Sequence, residues 1–337
     1  MPADQTMSEK PDRSLAERMA RCDKHLVIVH HPGQQAMSDW RQVSAHIRRI
    51  DPSIGVFVVS AARADEEVMR VAAQKPTLVF SASGTGKVLP LRGKVYQGYQ
   101  IPKFKQLQML AAAGVPVPQT QVLMPGIRLE PRQWGPVVLV KPLDISSSST
   151  GLGIHLMRTE RVKYIAPTDY PQDHPGRLGP MVAQQFIDSG PKFFMYRVLS
   201  LFGRALYCMQ IQSDLDLVSL TADDETLERA PVALQHVPGR QRLFVYKADV
   251  MALVEATHRA IPDIPLKGID IVREAGTGRL YVLEVNPGGN TWHFSSRHVA
   301  ETRAAESPEY TRQMYEHLDA MGSAAQVLVE VTRREAV

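Results

Sequence analysis

The sequence predicts an α/β protein on three observations: apolar runs alternating with helical stretches in its first hundred residues, a later hairpin with two alternating arms, and an ordinary globular composition. Hydrophobic residues make up 44% and charged residues 22%, the balance of a soluble chain with a packed core. At 337 residues there is room for two or three packed units. The formal net charge of +4 is small and its basic residues are scattered, which argues against nucleic-acid binding and is compatible with an anionic ligand. Two cysteines, Cys22 and Cys208, are too few for a disulfide framework or a cysteine zinc site, and as reduced thiols they suit a cytoplasmic setting. Residues 1–23 form a polar tail, frayed or briefly helical, and no later run is long and apolar enough for a membrane span.

The first unit has strand-like runs Leu26-Val27-Ile28-Val29, Val56-Phe57-Val58-Val59 and Leu78-Val79-Phe80, separated by helical stretches at 40–50 and 65–74. This alternation predicts a parallel sheet covered by helices, a Rossmann-like domain over 24–95. Ser83-Gly84-Thr85-Gly86-Lys87 resembles the end of a phosphate-binding loop, but Ser81 stands where its first glycine belongs and Val88 where Ser or Thr belongs; it is a plain loop after the third strand. Next comes a helix over 102–113, with Pro102 at its start and Gly114 just past its end, followed by extended Val115-Pro116-Val117-Pro118. A strand over 137–142, a loop over 144–153 and a strand from Ile154 follow; the four prolines of 167–180 mark an excursion. An apolar pattern resumes over 182–187, residues 194–209 supply two strands turning at Phe202-Gly203, and 308–331 is a scaffold helix.

The hairpin over 268–286 carries the chemistry. Its arms are Gly268-Ile269-Asp270-Ile271-Val272 and Leu280-Tyr281-Val282-Leu283-Glu284-Val285-Asn286, with a turn over 275–279. Folding symmetrically about Thr277 pairs Val272 with Val282 and Asp270 with Glu284, and alternation sets Asn286 beside Glu284, across from Gly268. Opposed carboxylates with Cβ atoms about 5 Å apart repel unless something positive lies between them. Oxygen ligands without His or Cys suit Mg2+ or Mn2+, and magnesium commonly bridges carboxylates to substrate phosphates. The alternative is an exposed hairpin with solvated acids, against which Ile269, Ile271, Leu283 and Val285 predict a buried opposite face.

Around this metal face lie groups suited to a nucleotide. Ser146-Ser147-Ser148-Ser149-Thr150-Gly151-Leu152-Gly153 can lay backbone N–H groups and hydroxyls around phosphate oxygens. Lys141 ends an apolar strand and Lys103 opens a helix; each can bring an ammonium to a phosphate or base.

The order of these features resembles the ATP-grasp superfamily of carboxylate-amine ligases, in the manner of glutamate ligases and D-alanine–D-alanine ligase: a lysine-headed helix, Gly-Val-Pro-Val-Pro, Val-Lys-Pro, a glycine-serine loop, Gln184-Gln185-Phe186-Ile187, Gly-Ile-Asp and Glu-Val-Asn-Pro. The resemblance spans roughly 96–300. It implies an ATP-grasp fold with a small subdomain over 96–181, a large one over 182–337, and 24–95 as the preceding domain. It further implies that ATP lies between the subdomains, contacting Lys103, Lys141, Ser147, Ser148, Ser149, Thr150 and Gly151. Gln184, Gln185, Phe186 and Ile187 would form the hinge along the adenine edge, and Asp270, Glu284 and Asn286 would hold Mg2+ or Mn2+. Arg197 matches a nucleotide-site arginine, although many members carry acids where this chain has Gln185 and Met195. A further basic contact to the terminal phosphates falls to Arg229, Arg240, Arg242 or Lys247.

The resemblance also implies the reaction. A substrate carboxylate takes the γ-phosphoryl group, and an amine displaces phosphate from the acyl phosphate to give an amide. Backbone N–H groups in Gly288-Gly289-Asn290 are candidate oxyanion donors, Gly289 and Asn290 foremost, and Arg297 is a candidate partner for a substrate carboxylate. His293 could bind substrate, move a proton or serve as a structural histidine, and Trp292 and Phe294 either line a pocket or pack. The expected partners are small-molecule carboxylates and amines, amino acids or peptides, with no nucleic acid and no membrane; a homodimer is left open. An ATP-binding module without ligase activity and a small-molecule kinase are the competing functions.

Overall fold

A computed structural model of the chain describes residues 14–63, 65–143, 153–231 and 240–337. A short helix α1 (Leu15–Met19), closed by a reciprocal Ser14–Glu17 capping box, precedes the first sheet. That sheet holds β1 (Lys24–His30), β2 (Ile54–Ser60), β3 (Thr77–Ser81) and β4 (Lys94–Gln97), with α2 (Met37–Ile50) and α3 (Glu66–Ala72) as its crossovers. The order is β2-β1-β3-β4 and every pairing is parallel. The three apolar runs thus form the predicted strands, and β4 adds an exposed edge that polar Lys94 and Gln97 had hidden.

Helix α4 (Lys103–Ala112) starts after Pro102 and ends before Gly114, whose φ of 76° is in the left-handed region open to glycine. Beyond it, β5 (Thr120–Val122), α5 (Pro131–Trp134), β6 (Val137–Pro142), β7 (His155–Arg158) and β8 (Met181–Gln185) form the small unit, an antiparallel sheet ordered β5-β8-β6-β7.

The third sheet, ordered β11-β10-β9-β12-β13, is antiparallel throughout. It comprises β9 (Lys192–Leu201), β10 (Arg204–Asp216), β11 (Arg240–Phe244), β12 (Leu266–Arg273) and β13 (Leu280–Pro287), with α6 (Asp224–Arg229) and α7 (Ala248–Ala260) in the connections. The β9–β10 turn falls at Phe202-Gly203 as expected, both at positive φ. After β13 come α8 (Ala300–Ala305), α9 (Pro308–Glu316) and α10 (Ala320–Glu335).

Alternation divides the large sheet cleanly. Val198, Cys208, Ile269, Ile271 and Val285 point to a core shared with α4 and α7. The other face, through Met195, Leu199, Met209 and Ile211, joins one core with Leu26 and Ile28 of β1, Trp40 of α2 and Leu328 of α10. The C-terminal helix is therefore more than scaffold for its own subdomain, because it packs on α2 as well as on β10.

One register expectation is corrected. Asp270 pairs with Glu284 and Gly268 with Asn286, but Ile271 pairs with Val282 and Val272 with Tyr281. Leu283 is an extra residue in β13, a bulge that shifts the hairpin's outer half by one without moving the acids off their shared face.

Candidate active site

The pairing of four strands produces a polar row. Across β10, β9, β12 and β13 the opposed residues are Met209, Arg197, Asp270 and Glu284, and paired residues share a face. Arg197 donates two hydrogen bonds to Asp270, Nε to Oδ1 at 2.8 Å and Nη2 to Oδ2 at 2.7 Å. Lys103, from the first turn of α4, donates through Nζ to Glu284 Oε2 at 2.8 Å. The Asn286 amide bridges both acids, with Nδ2 3.0 Å from Glu284 Oε1 and 3.4 Å from Asp270 Oδ2.

The electrostatics of the two acids differ. Burial raises Asp270 above the ordinary carboxylate value, as does the Glu284 carboxylate, against the downward pull of Arg197. Burial also opposes ionisation of Glu284, but Lys103 and the Asn286 amide outweigh it and hold that carboxyl at about 2. Lys141, near the end of β6, comes from the small sheet to the same place, where burial lowers it to about 8; Glu284 pulls it up and Lys103 pushes it down. Three cations thus gather around two carboxylates where the two sheets meet.

The donor set fits a hard divalent cation. The two carboxylates offer oxygen ligands, and the Asn286 amide, whose Nδ2 now bonds both acids, would add its Oδ1 by turning about its last bond. Among the described residues no group of three or more His, Cys, Asp or Glu could hold a metal. Two carboxylates and an amide would suit magnesium, which keeps water and phosphate oxygens in its shell.

The remaining expected residues distribute as follows. Gln184 is buried and donates to Thr120 Oγ1 at 3.0 Å, while the Gln185 N–H pairs with the Gln119 carbonyl at 2.8 Å. Phe186 packs with Val137 and Leu156 of the small unit, whereas Ile187 packs with Val272 and Tyr281 of the large one. The 184–187 segment therefore crosses between the two sheets. Ser147, Ser148, Ser149, Thr150 and Gly151 lie outside the described residues.

Gly289 requires a correction. Its N–H is already taken by Ser83 Oγ at 2.9 Å, and Ser83 donates in turn to Gln34 Oε1 at 2.7 Å. A Cβ on Gly289 would lie 1.9 Å from Gln35 Nε2 and 2.4 Å from Gln34 Oε1, so a side chain here would have to displace the ends of both glutamines. Asn290 is exposed beside it. Arg297 is also exposed; its N–H donates to the Gly33 carbonyl at 2.9 Å and its side chain lies along Gly33. Expectation had placed it next to the metal strand, and the fold also sets it against the loop following β1.

Behind this loop, His293 Nδ1 and the Tyr207 hydroxyl form a 2.9 Å hydrogen bond. Burial, then Arg197, His298 and Arg303, lower His293 to about 3, which makes it a neutral, fixed histidine. Trp292 and Phe294 pack: both are buried, and Trp292 stacks on Trp40 with centroids 4.4 Å apart. Asp39, at the start of α2, accepts from Trp292 Nε1 at 2.8 Å and Ser295 Oγ at 2.6 Å.

Of the four alternative phosphate contacts, Arg229 is an exposed partner of Glu225, Arg240 is exposed, and Lys247 stands exposed just ahead of α7. Arg242 is mostly buried, pairs with Glu306, and lies in the field of Arg197. It opposes Ile211, which opposes Met195, so it shares the face of Arg197. Sequence reading missed the roles of Ser83, Asp39 and Tyr207, whose partners lie 206, 253 and 86 residues away.

No protein-family model matches the chain, and no curated protein does. Among solved structures it is similar to the ATP-grasp ligase PsnB complexed with precursor peptide PsnA2 and AMPPNP, at 16% identity over 93% of this chain and 100% of that one, with a TM-score of 0.46. It is similar to the macrocyclase MdnC bound with precursor peptide MdnA from Microcystis aeruginosa MRC, at 12% identity over 91% and 99%, TM-score 0.46. D-alanine–D-alanine ligase from Bacillus anthracis gives 12% identity over 91% and 99%, TM-score 0.40. Over most of its length, then, the chain is similar to solved ATP-grasp ligases.

Proposed function

We propose that the chain is an ATP-dependent carboxylate-amine ligase of the ATP-grasp type, acting on an amino acid or small peptide. The observation that carries this reading is the Asp270–Glu284–Asn286 set, approached by Arg197 and Lys103 from the large unit's side and by Lys141 from the small sheet. Phosphoryl transfer asks a protein mainly for positioning and charge neutralisation, and these residues supply both without a nucleophilic side chain.

Asp270, Glu284 and Asn286 would hold Mg2+, which when bound neutralises the phosphate oxygens. Lys141 and Lys103 bind the phosphates, and the 184–187 crossing takes the adenine edge. Arg197, and Arg242 two rows along the same face, meet the charge that develops on the transferring group. A substrate carboxylate oxygen attacks the γ-phosphorus as the bond to the ADP oxygen breaks. The amine then attacks the acyl carbon and inorganic phosphate leaves, so the products are an amide, ADP and phosphate. Because Ser83 occupies the Gly289 N–H, Asn290 and Arg297 are the remaining groups to steady the carbonyl oxygen and a substrate carboxylate. Two free, buried thiols, Cys22 and Cys208, are compatible with a cytoplasmic setting.

The test measures ADP release while carboxylates and amines are supplied in combination, with hydroxylamine present to trap an acyl phosphate. ADP formed only with a carboxylate, together with a hydroxamate, supports ligation. A stable phosphate ester would make the chain a kinase, and nucleotide binding without turnover across a broad panel would make it a binding module.

A further inference from the structure

At the β9–β10 turn, where the end of the large sheet passes between α7 on one face and α10 on the other, lies a pocket of about 480 Å³. His258 of α7 lines it, and directly behind His258 is Lys267 of β12, fully buried. Lys267 donates through Nζ to His258 Nδ1 at 2.8 Å and to the Ile264 carbonyl. A protonated Lys267 has donors only, so in that state Nδ1 accepts and the imidazole proton resides on Nε2. That Nε2 has no hydrogen-bond partner among the described residues and is not sealed off from solvent. Gly203, at φ 89°, lets the turn press against the ring: a Cβ there would come within 3.0 Å of His258 Cδ2.

Lys267 makes no ion pair of its own among the described residues; Asp263 acts on it only through its field. A buried cation without a carboxylate partner is costly, and burial lowers Lys267 to about 7 while His258, pressed by burial and then by Lys267, Arg334 and Arg259, falls to about 4. Around the mouth, Arg204 is tied to Glu330 at 3.2 Å, whereas Arg259 meets Glu255 only at 4.0 Å and Arg334 turns to Glu335 at 2.9 Å. Among these polar groups the walls also carry apolar side chains, including Phe202, Met251 and Val331.

We propose that this pocket binds a small organic anion, its acid group on the His258 Nε2–H and Arg259 and its apolar body against Phe202, Met251 and Val331. The anion supplies the countercharge that Lys267 lacks, relayed through the imidazole. The site is separate from the ATP-binding reading and stands whether or not that reading holds.

Titration calorimetry of the full chain with benzoate, and with neutral benzamide as control, tests the site. Benzoate binds saturably and benzamide does not; at pH 8, where Lys267 is largely neutral, binding takes up protons, seen as an enthalpy that varies with buffer. Lys267→Met, which keeps the core apolar, weakens benzoate at least roughly tenfold and removes the proton uptake. If that variant does not fold, Arg259→Gln on the exposed rim carries the same test with a smaller loss. Equal binding of benzoate and benzamide, no saturable benzoate binding, or wild-type affinity in the variants overturns the proposal.

Discussion

Arg197 and Asp270 oppose each other on neighbouring strands and close a two-point ion pair at 2.8 and 2.7 Å. The acid is almost entirely buried, with only 5% of its side chain exposed, and the Arg197 side chain retains 34%. Removing one partner strands a buried charge, whereas removing both does not. Arg197→Met is expected to destabilise the fold by about 3–5 kcal/mol, and Arg197→Met with Asp270→Asn by clearly less. A denaturant double-mutant cycle measures the difference; additive losses would show that the pair is not coupled.

Glu284 has a different dependence. Its carboxylate meets Lys103 and Asn286 at a partly exposed edge of the row, so Glu284→Gln keeps shape and removes charge. Turnover, read as ADP release, should fall roughly 10²–10³-fold, a loss larger than any shift of the unfolding midpoint can account for. Retained turnover would remove Glu284 from the site.

Asp39 fixes the segment that leaves β13. It receives Trp292 and Ser295 and lies 3.4 Å from the Tyr315 hydroxyl. Asp39→Ala leaves buried donors without an acceptor, each costing about 1–3 kcal/mol. The variant should lose about 2–4 kcal/mol on that basis, and thermal melts together with the near-ultraviolet signal of Trp292 would register it. An unchanged melt and aromatic signal would show that the segment holds itself.

The pH dependence of folding has one clear contributor in Glu335. Burial alone would raise its carboxyl, but hydrogen bonds from Lys94, Tyr96 and Arg334 hold it at about 2. A folded-state value below the unfolded one stabilises the protein above the unfolded pKa of about 4.3, and that contribution disappears as pH falls towards 2. Because Glu335 ties α10 to β4, the loss should be felt at the contact between the C-terminal helix and the first sheet. Glu335→Gln is therefore expected to flatten the stability profile between about pH 4 and 2; an equally steep profile would assign the acid sensitivity elsewhere.

Period-two alternation was enough to bring Asp270, Glu284 and Asn286 together from sequence, because both arms lie within one hairpin. It could not reveal the bulge at Leu283, where a single extra residue is accommodated by local backbone geometry. Nor could it reveal Arg197 as the partner of Asp270, which depends on β9 being inserted between β10 and β12. The same holds for Ser83 and Gly289, whose meeting needs the first unit docked on the third sheet. Lys103 was legible as the ammonium that opens α4, but its hydrogen bond to Glu284 required the position of α4 across β13.

The most direct measurement is binding of Mn2+, as a paramagnetic stand-in for Mg2+, in the presence of a nonhydrolysable ATP analogue. The wild-type chain should retain the ion tightly only with nucleotide, and Asp270→Asn with Glu284→Gln should weaken retention by at least about a hundredfold. Mn2+ and nucleotide held by the double variant as tightly as by the wild type would contradict the account.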